Sequence, residues 1–206
     1  MLRHHLTVAA AALGLAMPAS AQLPKVAPGA PIASRVVAGT YSVDPAHTQL
    51  LFTVNHLGFS LYTGAFTNPT GTLTLDPKRP ATAKVDISFP IKDVKTTDAR
   101  LDAHLQAADF FDAAKFPVAR FVSTRVVASG TNATIIGNLT LRGVTRPVTL
   151  KARFIGAGPA PMGPPKLNIG FAATGTIKRS DFGISYGVPL VSDTVELTIN
   201  AAFEAK

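Results

Sequence analysis

Apolar and polar side chains alternate along most of the chain, which is the pattern of a β-strand with one buried face. Eight segments show this alternation: residues 50–54, 71–75, 85–91, 120–127, 134–141, 148–154, 169–177 and 195–203. Turn-forming residues, among them Asp76-Pro77 and Ser129-Gly130, separate most of them. The pattern therefore predicts an all-β, antiparallel domain, and it leaves open whether the apolar faces meet in a sandwich or in a closed barrel.

One segment departs from the alternation: TDARLDAHLQAADFFDAAKFP, residues 97–117. Leu101, Leu105 and Ala108 recur with helical spacing, so we predict one short helical insertion over about residues 98–112, with Asp98 as its N-cap. The charged and titratable residues of its first turns are Asp98, Arg100, Asp102 and His104. Because no nucleophile lies among them, we interpret this cluster as a hydrogen-bonded anchor between helix and sheet rather than an acid/base pair.

The N-terminal residues have the three-part pattern of a secretory signal peptide: a basic start at Arg3, an apolar run over residues 6–17 and the small triplet Ala19-Ser20-Ala21. The run is shorter than the roughly 20 residues that span a bilayer. We therefore divide the chain into a signal peptide (1–21), a flexible Pro/Ala-rich lead-in (22–39) and one folded domain (40–206). This division predicts an exported protein.

Charge and residue content narrow the expected chemistry. The chain has 20 Lys and Arg against 12 Asp and Glu. This balance favours anionic partners such as phosphate headgroups or, transiently, a membrane surface, although a positive surface that only keeps the protein in solution is the simpler interpretation. No basic run interleaved with aromatic residues appears, so no nucleic acid is expected. The chain has no cysteine, and His47, His56 and His104 show no metal-ligand spacing. We predict no catalytic residue, no metal and no cofactor.

The interior of an eight-stranded barrel is either filled by side chains or holds one small ligand. Several residues on the inward-facing positions are small: Gly71, Ala119, Gly137, Ala152, Ala173, Gly175 and Ala201. Such residues leave room for a ligand, or they relieve crowding where strands curve. The sequence does not separate these alternatives.

Six motifs resemble, in order, the YceI-like polyisoprenoid-binding family: YSVDPAH (41–47), NHLG (55–58), TDARLDAHL (97–105), ADFFD (108–112), GNLTLRGVTRPV (137–148) and IKRSDFGI (177–184). The resemblance implies an exported bacterial protein with an antiparallel, eight-stranded, lipocalin-like barrel. It also implies an isoprenoid lipid ligand, either a polyprenyl phosphate or diphosphate or an isoprenoid quinone. A homodimer is an expectation that rests on the resemblance alone.

On this basis the inward apolar residues become the expected contacts of the lipid chain: Phe52, Val54, Phe66, Leu73, Ile87, Phe89, Phe121, Leu139, Leu150, Phe171 and Phe182. From the helical insertion, Leu101, Leu105, Phe110 and Phe111 are expected to face the barrel and to close or line one end of the cavity. The polar residues expected near a mouth are Asn55, His56, Arg100, His104 and Arg179.

The resulting hypothesis is a non-enzymatic periplasmic protein that binds, and carries or sequesters, an isoprenoid lipid. Two alternatives stay open at this point. One is an accessory protein that acts on a bound quinone in redox or stress response. The other is a structural barrel with a filled core.

Overall fold

Eleven β-strands and one α-helix make up the part of the chain that a computed structural model describes, residues 25–162 and 164–206. The expected signal peptide lies outside the described residues. The elements are β1 (Gly39–Val43), β2 (Gln49–His56), β3 (Ser60–Phe66), β4 (Thr70–Leu75), β5 (Lys84–Pro90), β6 (Val94–Lys95), α1 (Ala99–Gln106), β7 (Val118–Ser129), β8 (Asn132–Leu141), β9 (Val144–Pro159), β10 (Leu167–Lys178) and β11 (Thr194–Ala205). Short 3₁₀ turns lie at Ala33–Arg35, Pro80–Thr82, Ile91–Asp93 and Arg179–Phe182.

Eight antiparallel strands close into a barrel. Hydrogen bonds connect β1, β4, β5, β7, β8, β9, β10 and β11 in that order, and β11 returns to β1 through pairs such as Tyr41–Ala205. The three remaining strands lengthen one end: β2 pairs with β11, β3 with β2, and β6 with β3. Closure leaves no long unpaired edge in this circuit. The predicted eight-stranded antiparallel barrel with one helical insertion is confirmed.

The two ends of the barrel differ. We call one the open end; it holds the start of β1, the β7–β8 turn at residues 130–131, and the connections at 76–83 and 160–166. We call the other the helix end; it holds α1, the β2–β3 turn at residues 57–59, the Arg142-Gly143 turn and the segment 179–193.

The alternation predicted the inward faces of β9 and β11 correctly. In β9, Val148, Leu150, Ala152 and Phe154 are buried and point into the barrel, whereas the residues between them are exposed. In β11, Leu197, Ile199, Ala201 and Phe203 also point inward; Leu197 and Phe203 are buried, and Ile199 and Ala201 are partly buried. Burial of these faces supplies the main driving force for closing the barrel.

Hydrogen bonds anchor α1 to the sheet. The Asp98 carboxylate caps the helix by accepting from the Arg100 amide at 2.9 Å. The buried carboxylate of Asp102 accepts from the Thr96 amide at 2.6 Å and the Thr96 hydroxyl at 2.8 Å, just after β6. The predicted anchor is therefore confirmed for Asp102, whereas Arg100 and His104 of the same cluster pair with Asp98 and Asp109 instead. The helix ends at Gln106, earlier than expected, because Ala107 is extended and its carbonyl accepts from the Asp112 amide in a turn.

Within the described residues, no helix is long and apolar enough to cross a membrane.

Candidate functional site

The barrel encloses a cavity of about 310 Å³. This volume falls just inside the range of about 300–1,000 Å³ that is typical of small-molecule sites. Four of the described lining residues are polar, namely Thr48, Arg120, Thr131 and Asn132, and the others are apolar or glycine. A site of this kind holds a hydrocarbon chain and offers few partners for a polar group.

Small side chains create the space, although not at every position where the sequence provides them. Ala119, Ala152, Ala173 and Ala201 line the cavity. A Cβ atom on Gly137 would lie 2.4 Å from Cζ of Phe121, so this glycine gives room to a neighbouring ring instead. Gly175 does the same for the Leu150 side chain, 2.7 Å from the position of such a Cβ atom. Both interpretations of the small residues therefore hold, at different places in the barrel.

An aromatic cluster forms the floor of the cavity at the helix end. The ring of Phe66 lines the cavity and lies 5.4 Å from Phe111, 5.6 Å from Phe52 and 6.5 Å from Phe89, measured between centroids. Phe111 and Leu105 are buried as well, and neither lines the cavity. Because none of the α1 residues lines the cavity, the helix closes this end without contacting the space inside.

The cavity opens at the other end. Its lining there includes Pro77 and Pro80 from the β4–β5 connection and Gly130–Asn132 from the β7–β8 turn. Ala33 and Val36, from the segment expected to be a flexible lead-in, also belong to the lining. The sequence analysis did not single out these mouth residues, because they lie in turns and in a segment without periodicity.

The lead-in segment contacts the barrel wall beside this mouth. Ala30 and Ala157 of β9 exchange two backbone hydrogen bonds, at 3.2 Å and 2.9 Å. A guanidinium nitrogen of Arg35 donates to the carbonyl of Pro28 at 3.1 Å and, more weakly, to that of Ala157 at 3.4 Å. The lead-in therefore forms part of the rim.

Eight of the expected site residues line the cavity: Phe66, Leu73, Ile87, Phe89, Phe121, Leu139, Leu150 and Phe171. Direct contact of these residues with a ligand stays a prediction. Leu50 lines the cavity from β2, whereas the expected Phe52 and Val54 of the same strand do not. Phe52 instead lies against Gly64, where a Cβ atom would be 2.3 Å from its Cζ atom.

The residues expected from the helical insertion pack behind the floor rather than around the cavity. Leu101 and Phe110 are partly buried against the core. Phe182, which was expected to contact the lipid chain, is a buried core residue and does not line the cavity either. Phe110 also packs edge-on against His104 at 4.9 Å and at a tilt against Tyr186 at 5.3 Å, between ring centroids. These contacts give the segment 98–112 a role in closing the barrel end.

The polar residues expected near a mouth lie at the helix end, on the side of the barrel away from the opening. Asn55 and His56 are exposed at the end of β2. Arg100 pairs with Asp98 at 3.1 Å, and His104 pairs with Asp109 at 3.2 Å. These polar residues lie close together because the connections that carry the NHLG and TDARLDAHL motifs join strands at the helix end of the barrel.

Arg179 has a structural role at this end. Its guanidinium is buried and donates to four backbone carbonyls, those of Ile184, Tyr186, Val191 and Ser192, at 2.8–3.3 Å. Burial lowers the pKa of Arg179, although Asp193 acts in the opposite direction. The side chain therefore holds the loop 183–193 in place.

The single charged residue among the described lining residues is already paired. Arg120 donates to both carboxylate oxygens of Asp86, at 2.8 Å and 2.6 Å. These hydrogen bonds lower the pKa of Asp86 and raise the pKa of Arg120. The cavity interior is thus suited to an uncharged hydrocarbon, and a charged group of any ligand would lie at the mouth.

Comparison with known proteins agrees with this architecture. The family description "YceI-like domain" matches residues 41–203. The chain belongs to the YceI-like family. The protein named YceI from Salmonella arizonae is 42% identical over 166 residues, which cover 80% of this chain and 86% of that protein. The YceI-like domain begins at Tyr41, so the lead-in contacts at the mouth come from outside the matched residues.

Two solved structures share the YceI-like barrel. The Campylobacter jejuni YCEI protein aligns with a TM-score of 0.64 at 31% identity, over 73% of this chain and 89% of that one. A polyisoprenoid binding domain from Saccharophagus degradans, implicated in plant cell wall breakdown, aligns with a TM-score of 0.59 over 81% of this chain and 98% of that one. At 16% identity, the second comparison shows a common fold.

Proposed function

We propose that the protein binds the hydrocarbon chain of an isoprenoid lipid inside the barrel, and carries or sequesters that lipid in the periplasm. The observation that carries this proposal is the apolar cavity, which is closed by aromatic rings at one end and open at the other. The polyisoprenoid binding domain with the same fold supports it. The cavity also argues against a barrel with a filled core.

The energy of binding would come from the chain. Each buried methylene contributes about 0.8 kcal/mol, so a few isoprene units give a substantial gross gain before ordering costs are subtracted. The lining offers this burial in a space that already exists, because alanines such as Ala119, Ala152, Ala173 and Ala201 stand among its larger apolar side chains.

The headgroup would lie outside the apolar space. A phosphate, a diphosphate or a quinone ring needs hydrogen-bond partners that the interior lacks. Thr131 and Asn132 are polar lining residues at the mouth, and both are exposed. We therefore propose that the lipid enters with its chain first and leaves its polar end at the rim.

Native mass spectrometry of the purified mature protein, followed by organic extraction, tests the proposal. We expect a bound species that extraction releases and that fragments as a prenyl lipid. Its mass distinguishes a polyprenyl phosphate from an isoprenoid quinone. Repeated recovery of an empty protein that also fails to take up an added prenyl lipid would contradict the proposal.

A pair of variants on β10 links the ligand to the cavity. Ala173 lines the cavity, whereas its neighbour Ala172 faces the outside of the barrel. Ala173→Leu should reduce lipid occupancy by filling the space, and Ala172→Leu should leave occupancy unchanged. Equal occupancy in the two variants would place the lipid elsewhere on the protein.

Three further parts of the proposal have direct tests. N-terminal sequencing of the protein from the periplasm should begin at Gln22, as cleavage after Ala21 requires. Sedimentation analysis tests the expected homodimer. Assays with a soluble quinone and a reductant should show no turnover, because we propose binding without catalysis.

A further inference from the structure

Positive charge is concentrated at the open end of the barrel. Within residues 25–162 and 164–206, the open-end region begins at the strand pairs Lys84–Thr74 and Arg125–Ile136 and includes the residues between these pairs and the mouth. Six basic residues lie in the lead-in, the connections and the C-terminus: Lys25, Arg35, Lys78, Arg79, Lys166 and Lys206. Four more are on strands: Lys84, Arg125, Lys151 and Arg153. All ten are exposed.

Acidic residues are scarce in the same region. Of the described residues there, Asp76 and Glu204 are the two acids, and both have a basic partner. Asp76 pairs with Arg79 at 2.9 Å, and Glu204 pairs with Lys166 at 3.3 Å. The rest of the described chain contains nine basic and ten acidic residues, so it is close to neutral. The excess of positive charge among residues 25–162 and 164–206 is therefore at the open end.

Exposed apolar side chains surround the same opening. Val26, Val37 and Met162 are 79%, 64% and 67% exposed, and Ile32 and Ile155 are also accessible. Val26, Ile32 and Val37 flank the lead-in residues Ala33 and Val36, which line the cavity. Accessible apolar side chains among basic ones are typical of a surface that lies on an anionic bilayer.

The helix end has exposed apolar residues as well, including Phe59 at 89% and Leu190. That surface lacks the excess of positive charge, and the floor formed by Phe66 and Phe111 separates it from the cavity. A bilayer bound there would face the closed end of the barrel. Charge and access to the cavity therefore both favour the open end as the side that meets the membrane.

We propose that the open end is a membrane-docking face, on which the basic residues bind anionic lipid headgroups and place the cavity mouth against the bilayer. The biological role of this docking rests on the proposed function, because docking would let a lipid pass between the bilayer and the cavity without crossing water. Its physical basis is independent of the ligand. Each Lys or Arg near an anionic surface contributes roughly fivefold in affinity, and salt screens this attraction.

Co-sedimentation with vesicles that contain no isoprenoid lipid tests the docking. We expect the mature protein to bind vesicles of equal parts phosphatidylglycerol and phosphatidylcholine, and to be released as salt is raised. Vesicles of phosphatidylcholine alone should bind it at least about tenfold more weakly. Equal binding to the two vesicle types would overturn the proposal.

Two charge-reversal variants with the same net charge distinguish docking from general attraction. The first triple variant reverses three positive charges at the open end: Lys78→Glu, Lys151→Glu and Arg153→Glu. The second reverses three positive charges at the helix end: Lys92→Glu, Arg146→Glu and Lys178→Glu. The first triple variant should bind anionic vesicles at least about tenfold more weakly than the second. Equal loss in both would mean that net charge alone attracts the protein, and would overturn the docking face.

A tryptophan reporter determines the orientation, because the chain contains no tryptophan of its own. The emission of a Val37→Trp variant should shift to shorter wavelength when anionic vesicles are added, and that of a Phe59→Trp variant should not. The opposite result would place the helix end on the membrane. Normal vesicle binding by a protein that never yields a prenyl lipid would contradict the proposed function alone.

Discussion

The amide of Ala157 donates to the carbonyl of Ala30, and the amide of Ala30 donates back to the carbonyl of Ala157. This pair joins a segment that precedes the YceI-like domain to the wall of the barrel beside the cavity mouth. Glycines on either side of Ala157 make the approach possible. A Cβ atom on Gly158 would lie only 2.1 Å from the carbonyl oxygen of Pro28.

We therefore expect Gly158→Ala to displace the lead-in from the mouth. The clash is with backbone atoms, which a side-chain rotation cannot relieve. Trypsin should then cleave after Arg35 faster than in the unmodified protein, and a bound lipid should dissociate faster. Gly170→Ala on β10 is the matched control, because its nearest neighbour beyond the adjacent residues would be 3.8 Å away. Equal cleavage rates in the two variants would show that the lead-in is not held by this contact.

The anchor of α1 gives a stability prediction. Removing the Asp102 carboxylate leaves the Thr96 amide without its acceptor, and it leaves the Thr96 hydroxyl with the Asp98 carbonyl alone, at 3.0 Å. Asp102→Ala should lower the free energy of unfolding by about 1–3 kcal/mol. Asp109→Ala, at an exposed position nearby, should change it by less than about 0.5 kcal/mol. Denaturant unfolding measures both values. An unchanged free energy of unfolding in Asp102→Ala would show that these hydrogen bonds do not stabilise the fold.

The same carboxylate predicts a pH dependence. Hydrogen bonds from Thr96 hold the pKa of Asp102 below its usual range, against the opposing effect of burial. A lowered pKa in the folded state contributes stability above the ordinary value of about 3.9, and this stability is lost as the pH falls through the folded-state pKa. The stability difference between the protein and its Asp102→Asn variant should therefore be constant near neutral pH and shrink below about pH 4. A difference independent of pH would contradict this linkage.

The buried guanidinium of Arg179 predicts local ordering of the loop 183–193. Arg179→Ala leaves several carbonyls unpaired and should cost at least about 2 kcal/mol of stability. Hydrogen exchange of the amides in residues 184–192 should accelerate more than that of β8. Lys178→Ala, at the exposed neighbouring position, serves as the control. Arg179→Lys should not restore the loop, since one ammonium group cannot reach all four carbonyls.

Much of the barrel could be predicted from the chain. The period of two along residues 148–154 and 195–203 identifies which side chains point inward, since successive residues of a strand face opposite sides. The helical spacing of Leu101 and Leu105, together with the N-cap Asp98, identified the insertion and its anchor. The family followed from the ordered motifs, and the match over residues 41–203 confirmed it.

The position of the mouth could not be predicted in the same way. Periodicity assigns a residue to a face, but it does not say which end of a barrel the connections close. In the structure, Phe66 and Phe111 are far apart in sequence but contact each other at one end of the barrel. The other end stays open between the turns. The polar motif residues that suggested a mouth, such as His104 and Arg179, lie at the closed end.

The sequence by itself therefore determined eight of the eleven described strands, most of their inward faces, the helical insertion and the family, but it did not predict β1, β3 or β6. The tertiary structure decided that the cavity is open opposite the helix, that Ala33 and Val36 belong to its rim, and that the basic residues share one end. The physical reason is that the first set depends on neighbours within a few residues. The second depends on strand register and on loops that meet only when the barrel closes.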